Sequence, residues 1–300
     1  MAENTAVEVE GRTLRLSNLD KVLYSETGTT KAEVIDYYAR IAPTMVPHLE
    51  DRGVTLRRFP DGVEGGSFFE KRCPKHRPDW LGTVLGPGDR NGNIHYCCLD
   101  SAPALVWAAN MAALEIHAPM ARSDIDTPTM CVFDLDPGDG TTIEQCADVG
   151  LDIRHVLDGF GLVGFPKTSG SKGLQVYVPL NTPHTHEHAS SFAHSVARLL
   201  ERAHPHGVIS NMKRSLRKGK VLVDWSQNSR HKTTIAVYSL RARPRPTVST
   251  PVTWDEVEAA AGGEPLTFET ADVLARVDEH GDLFADTRTL TQRLPDAKAT

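Results

Sequence analysis

The residues most suited to chemistry are Asp134 and Asp136, in the apolar run Cys-Val-Phe-Asp-Leu-Asp at 131–136. Side chains two apart on a strand share a face, so a strand here would set two carboxylates side by side. They repel unless positive charge lies between them, and hard divalent cations such as Mg²⁺ and Mn²⁺ favour carboxylate oxygen. The plainer alternative is a strand end with two solvated acids. A third acid, Asp224, lies in Lys-Val-Leu-Val-Asp-Trp at 220–225. Alternation puts Val221 and Val223 on one face and Leu222 and Asp224 on the other, and an acid in that setting needs a partner. If the two strands pair, Asp134, Asp136 and Asp224 converge. Such a cluster can hold two metal ions ~3.5–4 Å apart, the arrangement that activates an attacking hydroxyl and stabilises a leaving pyrophosphate. Phosphoryl transfer needs that positioning and neutralisation more than covalent help. A buried Asp224 in an unrelated salt bridge is the competing possibility.

Two further stretches suit phosphate. Thr168-Ser169-Gly170-Ser171-Lys172-Gly173 offers flexible glycines, hydroxyls and an ammonium, the parts of an anion cradle, without the spacing of a Walker A loop. Residues 213–220 carry Lys213, Arg214, Arg217, Lys218 and Lys220 with no acid, and Arg241, Arg243 and Arg245 follow. The whole chain has a net charge of −6, which argues against a protein that coats nucleic acid indiscriminately. Concentrated basic segments on an acidic chain can hold a polyanion in one place and repel it elsewhere; a solvated basic turn is the bland alternative.

The elements that must position these residues follow from pattern. Residues 13–24 predict a strand and a turn. Thr30 predicts a helix cap before Val34, Ile35, Tyr38, Ile41 and Ala42, which recur at helical spacing. Strands are expected at 53–59, 94–99 (after a hairpin-type turn at 86–93), 129–137, on both sides of the Gly/Ser loop, at 220–225 and over 233–240. Residues 101–119 predict a helix followed by a short extended piece, helices are expected in 141–160 and 187–203, and the tail from about 244 reads as Pro-rich, then helical and peripheral. Strands and helices mingle without strict alternation, so the fold class is α+β. No stretch resembles a signal peptide or approaches the ~20 apolar residues of a membrane span. The odd count of five cysteines fits reduced thiols in a cytoplasm better than a disulfide framework. Cys73 and His76 form C-x₂-H and Cys97-Cys98 follow, the parts of a structural zinc site, but adjacent cysteines lack the usual C-x₂-C spacing and argue against one.

In this order, DKVLY, TGTTK, FFEK, ALEIH, VFDLDPG, TSGSKG, SLRKGKV, DWSQN, KTTIA and YSLR resemble the polymerase domain of bacterial ligase D, in the archaeo-eukaryotic primase superfamily. The resemblance spans residues 20–241 and is specific as an ordered set. It implies a primase-polymerase fold, with an RRM-like catalytic sheet at about 121–243, a packed N-terminal α/β module at about 1–120 and a peripheral segment at 244–300. It implies nucleotide addition to 3′ hydroxyls at DNA gaps and ends during Ku-dependent end joining, with ribonucleotides favoured. Asp134, Asp136 and Asp224 take the role of ligands for two Mn²⁺ or Mg²⁺ ions. His117, Ser169, Lys172 and Arg241 match positions that hold the incoming NTP or dNTP triphosphate. Phe68 and Phe69 match aromatics that contact nucleotide and template bases. Arg217 matches an arginine that arranges primer and site, and Lys21 and Lys31 match the pair that grips a 5′-phosphate beyond a gap or break.

Two departures stand out. The chain carries no K-x-D-G adenylation motif, so the expectation is a stand-alone relative or an excised polymerase domain, with Ku and a separate DNA ligase as candidate partners. Arg230 and His231 stand where smaller residues are expected. A primase that starts chains de novo would use the same carboxylates. An inactive module that docks on DNA ends is the alternative from another class, disfavoured because three carboxylates near phosphate serve no pure binder.

Overall fold

The computed structural model describes residues 4–88 and 92–295. The elements in order are β1 (Asn4–Val9), β2 (Arg12–Ser17), β3 (Val22–Tyr24), β4 (Thr29–Thr30), α1 (Lys31–Leu49), β5 (Gly53–Arg58), β6 (Phe68–Glu70), β7 (Thr83–Pro87), β8 (Asn93–Cys98), α2 (Ala102–Asn110) and β9 (Ala113–Pro119). Then come β10 (Met130–Pro137), α3 (Ile143–Gly159), β11 (Phe165–Thr168), β12 (Leu174–Pro179), α4 (His186–Ala203), β13 (Val208–Ile209), β14 (Val221–Asp224), β15 (Thr233–Ile235), α5 (Trp254–Ala261) and α6 (Thr270–His280). The class is α+β, as the sequence predicts. Among the described residues no helix is long and apolar enough to cross a membrane. Of the expected 86–93 turn, residues 89–91 lie outside the described residues.

The chain forms two compact units. The first comprises Met1–Pro119, Ile235–Ser249 and Phe268–Gly281. Its helix α1 starts where Thr30 and Glu33 cap each other: Thr30 Oγ1 accepts from Glu33 N, and Thr30 N donates to Glu33 Oε2 at 2.7 Å. The expected periodic face of α1 is buried, including Val34, Ile35, Tyr38, Ile41 and Ala42, and packs against α2 and α6. In this unit's sheet β5 lies between β9 and β8, β8 pairs with β7, and β6 pairs with β5.

The second unit comprises Met120–Thr234, Thr250–Thr267 and Asp282–Thr300. Its sheet runs β11-β12-β10-β14-β13, antiparallel except for β13 beside β14. Helices α3 and α4 follow β10 and β12, which gives the split βαβ order β-α-β-β-α-β. β10 is central and paired on both sides, so its run Met130–Leu135 is buried throughout. The segment after Arg243 supplies both units. Helix α5 packs on α3 with Val257 and Ala260 buried, and α6 packs on α1 with Val273 buried.

Two expectations are corrected. The predicted strand over 233–240 extends only from Thr233 to Ile235. Tyr238 takes φ 65°, which an extended strand cannot contain, and its amide turns to the Ser249 carbonyl at 2.8 Å. The five thiols are not all reduced: Cys73 and Cys97 form a disulfide, while Cys98, Cys131 and Cys146 are free and buried. The Cys73 amide donates to the His95 carbonyl at 2.7 Å, and this lays the loop along β8 and brings the two Cα atoms to 4.8 Å.

Candidate active site

In the second unit, β10 and β14 pair so that Asp134 stands directly opposite Asp224, with Leu135 opposite Val223. Directly opposed residues share a face, and Asp136 lies two positions along on that same face. One oxygen from each of the three carboxylates lies within 4.8 Å of the others. Asp134 and Asp224 are buried and Asp136 is exposed, so the cluster opens to solvent at one end.

Each buried acid is held from behind. Asp224 Oδ1 accepts from Ser226 N at 3.0 Å and Ser226 Oγ at 2.6 Å, and Oδ2 accepts from Gln227 Nε2 at 2.9 Å. The same Asp-Trp-Ser-Gln-Asn turn carries Asn228, fully buried, which exchanges 2.8 Å hydrogen bonds with both backbone groups of Val132 and so locks the turn to β10. Asp134 Oδ1 accepts from Gln175 Nε2 at 2.8 Å. Burial, then the neighbouring Asp136, pushes the Asp134 carboxyl above the usual carboxylate range; the Gln175 hydrogen bond opposes this, Asp224 adds to it, and Lys167 opposes it. Three hard oxygen donors so close and open on one side fit a divalent cation.

Two loops flank the carboxylates because glycines let backbones touch. A Cβ on Gly173 would lie 2.2 Å from the Leu135 carbonyl oxygen, so the Gly/Ser loop rests on the strand between the two aspartates. Within it Ser169 Oγ accepts from Gly173 N at 3.1 Å and Ser171 N at 3.3 Å, and Lys172 is exposed. A Cβ on Gly138 would lie 1.8 Å from the Arg217 carbonyl oxygen. The Gly138 amide donates to Lys220 O at 2.9 Å and the Gly219 amide to Asp139 O at 2.8 Å. These contacts dock the basic loop beside the end of β10. Arg217 is half-buried with its guanidinium on the Met212 carbonyl, and Lys213, Arg214 and Lys218 are exposed.

The first unit gathers His117, Arg241 and the aromatic pair around an acid that spacing alone did not single out. Glu115 is 1% exposed and lies opposite Arg57 on β5. Its carboxylate accepts from His117 Nε2 at 3.1 Å, Arg241 Nε at 3.1 Å, Ala242 N at 3.1 Å and Arg57 Nη1 at 3.3 Å. Burial alone would raise the Glu115 carboxyl. The His117 hydrogen bond, the Arg241 charge and the other donors outweigh it and hold the group well below the usual range. Burial also holds His117 below its ordinary value against the pull of Glu115. Phe68 and Phe69 project 46% and 57% exposed, with Arg58 and Arg57 over their rings and the Phe69 centroid 5.7 Å from that of His117. The sequence signal for Glu115 was a charge inside the apolar run Ala-Leu-Glu-Ile; the same signal marks Lys167 in β11.

Also in the first unit, the Lys31 amide donates to the Lys21 carbonyl at 2.8 Å, so the β3–β4 turn joins the two lysines. Lys21 Nζ pairs with Asp61 at 2.8 Å. Lys31 is buried, with Nζ on the Ser17 carbonyl at 2.6 Å; burial first, then Lys21 and Arg58, lower it to about 8.

A split βαβ sheet with three converging carboxylates, flanked by a Gly/Ser loop and a basic loop, defines a nucleotidyltransferase of the primase-polymerase kind. The chain belongs to the family described as the LigD primase-polymerase domain, whose profile matches residues 30–284. It is 47% identical over 277 residues to the multifunctional non-homologous end joining protein LigD of Mycolicibacterium smegmatis, covering 91% of this chain and 36% of that protein. It is 44% identical over 303 residues to the multifunctional non-homologous end joining DNA repair protein LigD of Mycobacterium tuberculosis H37Rv, covering 95% and 39%. The chain thus spans little more than a third of the length of these curated relatives. A solved structure titled as the polymerase domain from Mycobacterium tuberculosis ligase D in complex with DNA matches at TM-score 0.87 and 43% identity, over 93% of this chain and 99% of that one. The chain is accordingly a DNA-directed nucleotidyltransferase of a family that uses divalent metal.

Proposed function

We propose that this chain adds nucleotides, ribonucleotides preferentially, to 3′ hydroxyls at 5′-phosphorylated gaps and break ends of DNA, as a step in non-homologous end joining. The observation that carries this reading is the register that sets Asp134 opposite Asp224 beside Asp136. Two Mn²⁺ or Mg²⁺ ions held by these carboxylates would lower the pKa of the primer hydroxyl and neutralise charge on the leaving pyrophosphate. Asp224, fixed by Ser226 and Gln227, and Asp134, fixed by Gln175, present their oxygens without reorganising.

Around them Ser169 and Lys172 offer a hydroxyl and an ammonium to phosphate, and Arg217 places positive charge beside the end of β10. In the first unit His117 and Arg241, set by Glu115, are phosphate donors. Phe68 and Phe69 are stacking surfaces for nucleotide and template bases. Lys21 and Lys31 recognise the 5′-phosphate, which carries more charge than a backbone diester. Ku and a separate DNA ligase are the partners this role calls for, and the cytoplasm, at the nucleoid, is its place. The test is extension of a recessed primer across a 5′-phosphorylated gap with Mn²⁺ and matched ribo- and deoxyribonucleotides in competition. Templated addition with ribonucleotides ahead is expected; strong deoxyribonucleotide preference contradicts the sugar assignment, and no extension contradicts the reading.

A further inference from the structure

Lys167, Gln175, Asp134 and Asp224 form one row across four neighbouring strands: Lys167 pairs with Gln175, Gln175 with Asp134 and Asp134 with Asp224, each in direct register. Lys167 is 1% exposed and Gln175 2%. The Lys167 ammonium donates to Gln175 Oε1 at 2.5 Å, and Gln175 Nε2 donates to Asp134 Oδ1 at 2.8 Å. A charged group so deeply buried is costly and contributes less to stability than an apolar side chain of its size would.

We propose that Lys167 is a positioning residue for the metal-binding carboxylate, acting by deciding which end of the Gln175 amide faces Asp134. A primary amide has a donor end and an acceptor end of almost equal shape, and only the donor end suits a carboxylate. An ammonium has donors and no acceptor, so it takes the carbonyl end. With Oε1 committed to Lys167, the NH₂ group is delivered to Asp134 Oδ1, which orients the carboxylate in the cluster with Asp136 and Asp224. Without Lys167 the amide can turn over and set its oxygen against Asp134. Partners of this kind orient metal ligands and tune affinity. The inference rests on the proposed role of the triad.

The test is Mn²⁺ binding to the nucleotide- and DNA-free chain, read from the free-Mn²⁺ electron paramagnetic resonance signal, for wild type, Lys167→Met and Gln175→Leu. Both substitutions keep the volume and remove one link of the row. Each is expected to weaken Mn²⁺ binding about 10- to 100-fold, while affinity for a 5′-phosphorylated gap in chelator stays as in the wild type. Wild-type Mn²⁺ affinity in folded Lys167→Met overturns the proposal. Weakening by Lys167→Met with wild-type affinity in Gln175→Leu also overturns it, because the lysine would then act through its charge and not through the amide. If neither variant folds, the Gln175 side-chain amide of the wild type, selectively ¹⁵N-labelled, decides. Its NH₂ resonances should shift on adding Mg²⁺, and an amide indifferent to the ion overturns the proposal. A wild type that binds no Mn²⁺ removes the triad reading itself, an outcome distinct from the failure of Lys167 alone.

Discussion

Asp134 and Asp224 come from strands far apart in the chain and stand directly opposite each other between β10 and β14. Like charges so placed destabilise a sheet, and two buried carboxylates do so more than exposed ones. That cost marks the site as built for a cation.

Loading the cation should therefore stabilise the chain. Mn²⁺ at about a hundredfold over its dissociation constant should add about 2.7 kcal/mol to the unit that holds it. Asp134→Asn keeps an acceptor for Gln175 and removes one charge. In chelator it should be more stable than the wild type by on the order of 1 kcal/mol, and it should lose most of the Mn²⁺ response. Thermal melts of both proteins with and without Mn²⁺ check this; a less stable Asp134→Asn in chelator contradicts it.

Lys31 supplies a pH signature. Its folded pKa, about 8, lies below the ordinary 10.5, so between these values the folded state has released a proton that the unfolded chain still holds. Stability from this group rises with pH across that window, and Lys31→Met should abolish the rise. The charge needed for a phosphate fades over the same range. Preference for 5′-phosphorylated over 5′-hydroxyl gaps, measured by fluorescence anisotropy, should be larger at pH 7 than at pH 9, and should shrink as salt rises. An equal preference at both pH values would remove Lys31 from end recognition.

Glu115 ties three cationic or polar side chains to one buried carboxylate. Glu115→Ala leaves those groups without their common partner and should cost about 3–5 kcal/mol in denaturant melts. Glu115→Gln should cost less stability and raise KM for the nucleotide, because His117 and Arg241 lose their anchor charge. Unchanged KM in a folded Glu115→Gln would make Glu115 purely structural.

The exposed Phe69 should behave the other way. Phe69→Ala should leave the melting temperature nearly unchanged and weaken templated nucleotide or single-strand binding by about 1–3 kcal/mol, the worth of one stacked base. A loss of stability without a loss of binding would mean that Phe69 packs and does not stack.

What the sequence made legible follows from locality. Asp134 and Asp136 share a face by strand geometry alone, and Thr30 marks the helix start as its cap. Asp224 could be placed only conditionally, because its convergence depends on which strand β14 pairs with. The roles of Glu115, Gln175 and Lys167 are not legible in the sequence for the same reason: their partners sit on neighbouring strands, and register is fixed by the packed sheet, not by spacing along one strand. The Cys73–Cys97 bond likewise depends on a loop laid along β8. The strand expected over 233–240 ends at Ile235, because β-branched and aromatic residues favour strands locally whereas Tyr238 is turned by its contact with Ser249.

Asp134, Asp136 and Asp224 should act together on metal-bound phosphate. Single-turnover extension of a primer across a 5′-phosphorylated gap, with Mn²⁺ and one matched nucleotide, tests it most directly when wild type is set beside Asp224→Asn. The asparagine keeps its Oδ1 as acceptor for Ser226, and its NH₂ can donate to Gln227 Oε1 once that amide turns over, so the fold and gap binding should persist. Loss of nucleotide addition by at least about a thousandfold, or ~4 kcal/mol of transition-state stabilisation, is expected, with gap affinity within about twofold of the wild type. Extension by Asp224→Asn at a rate near that of the wild type would contradict the three-carboxylate site.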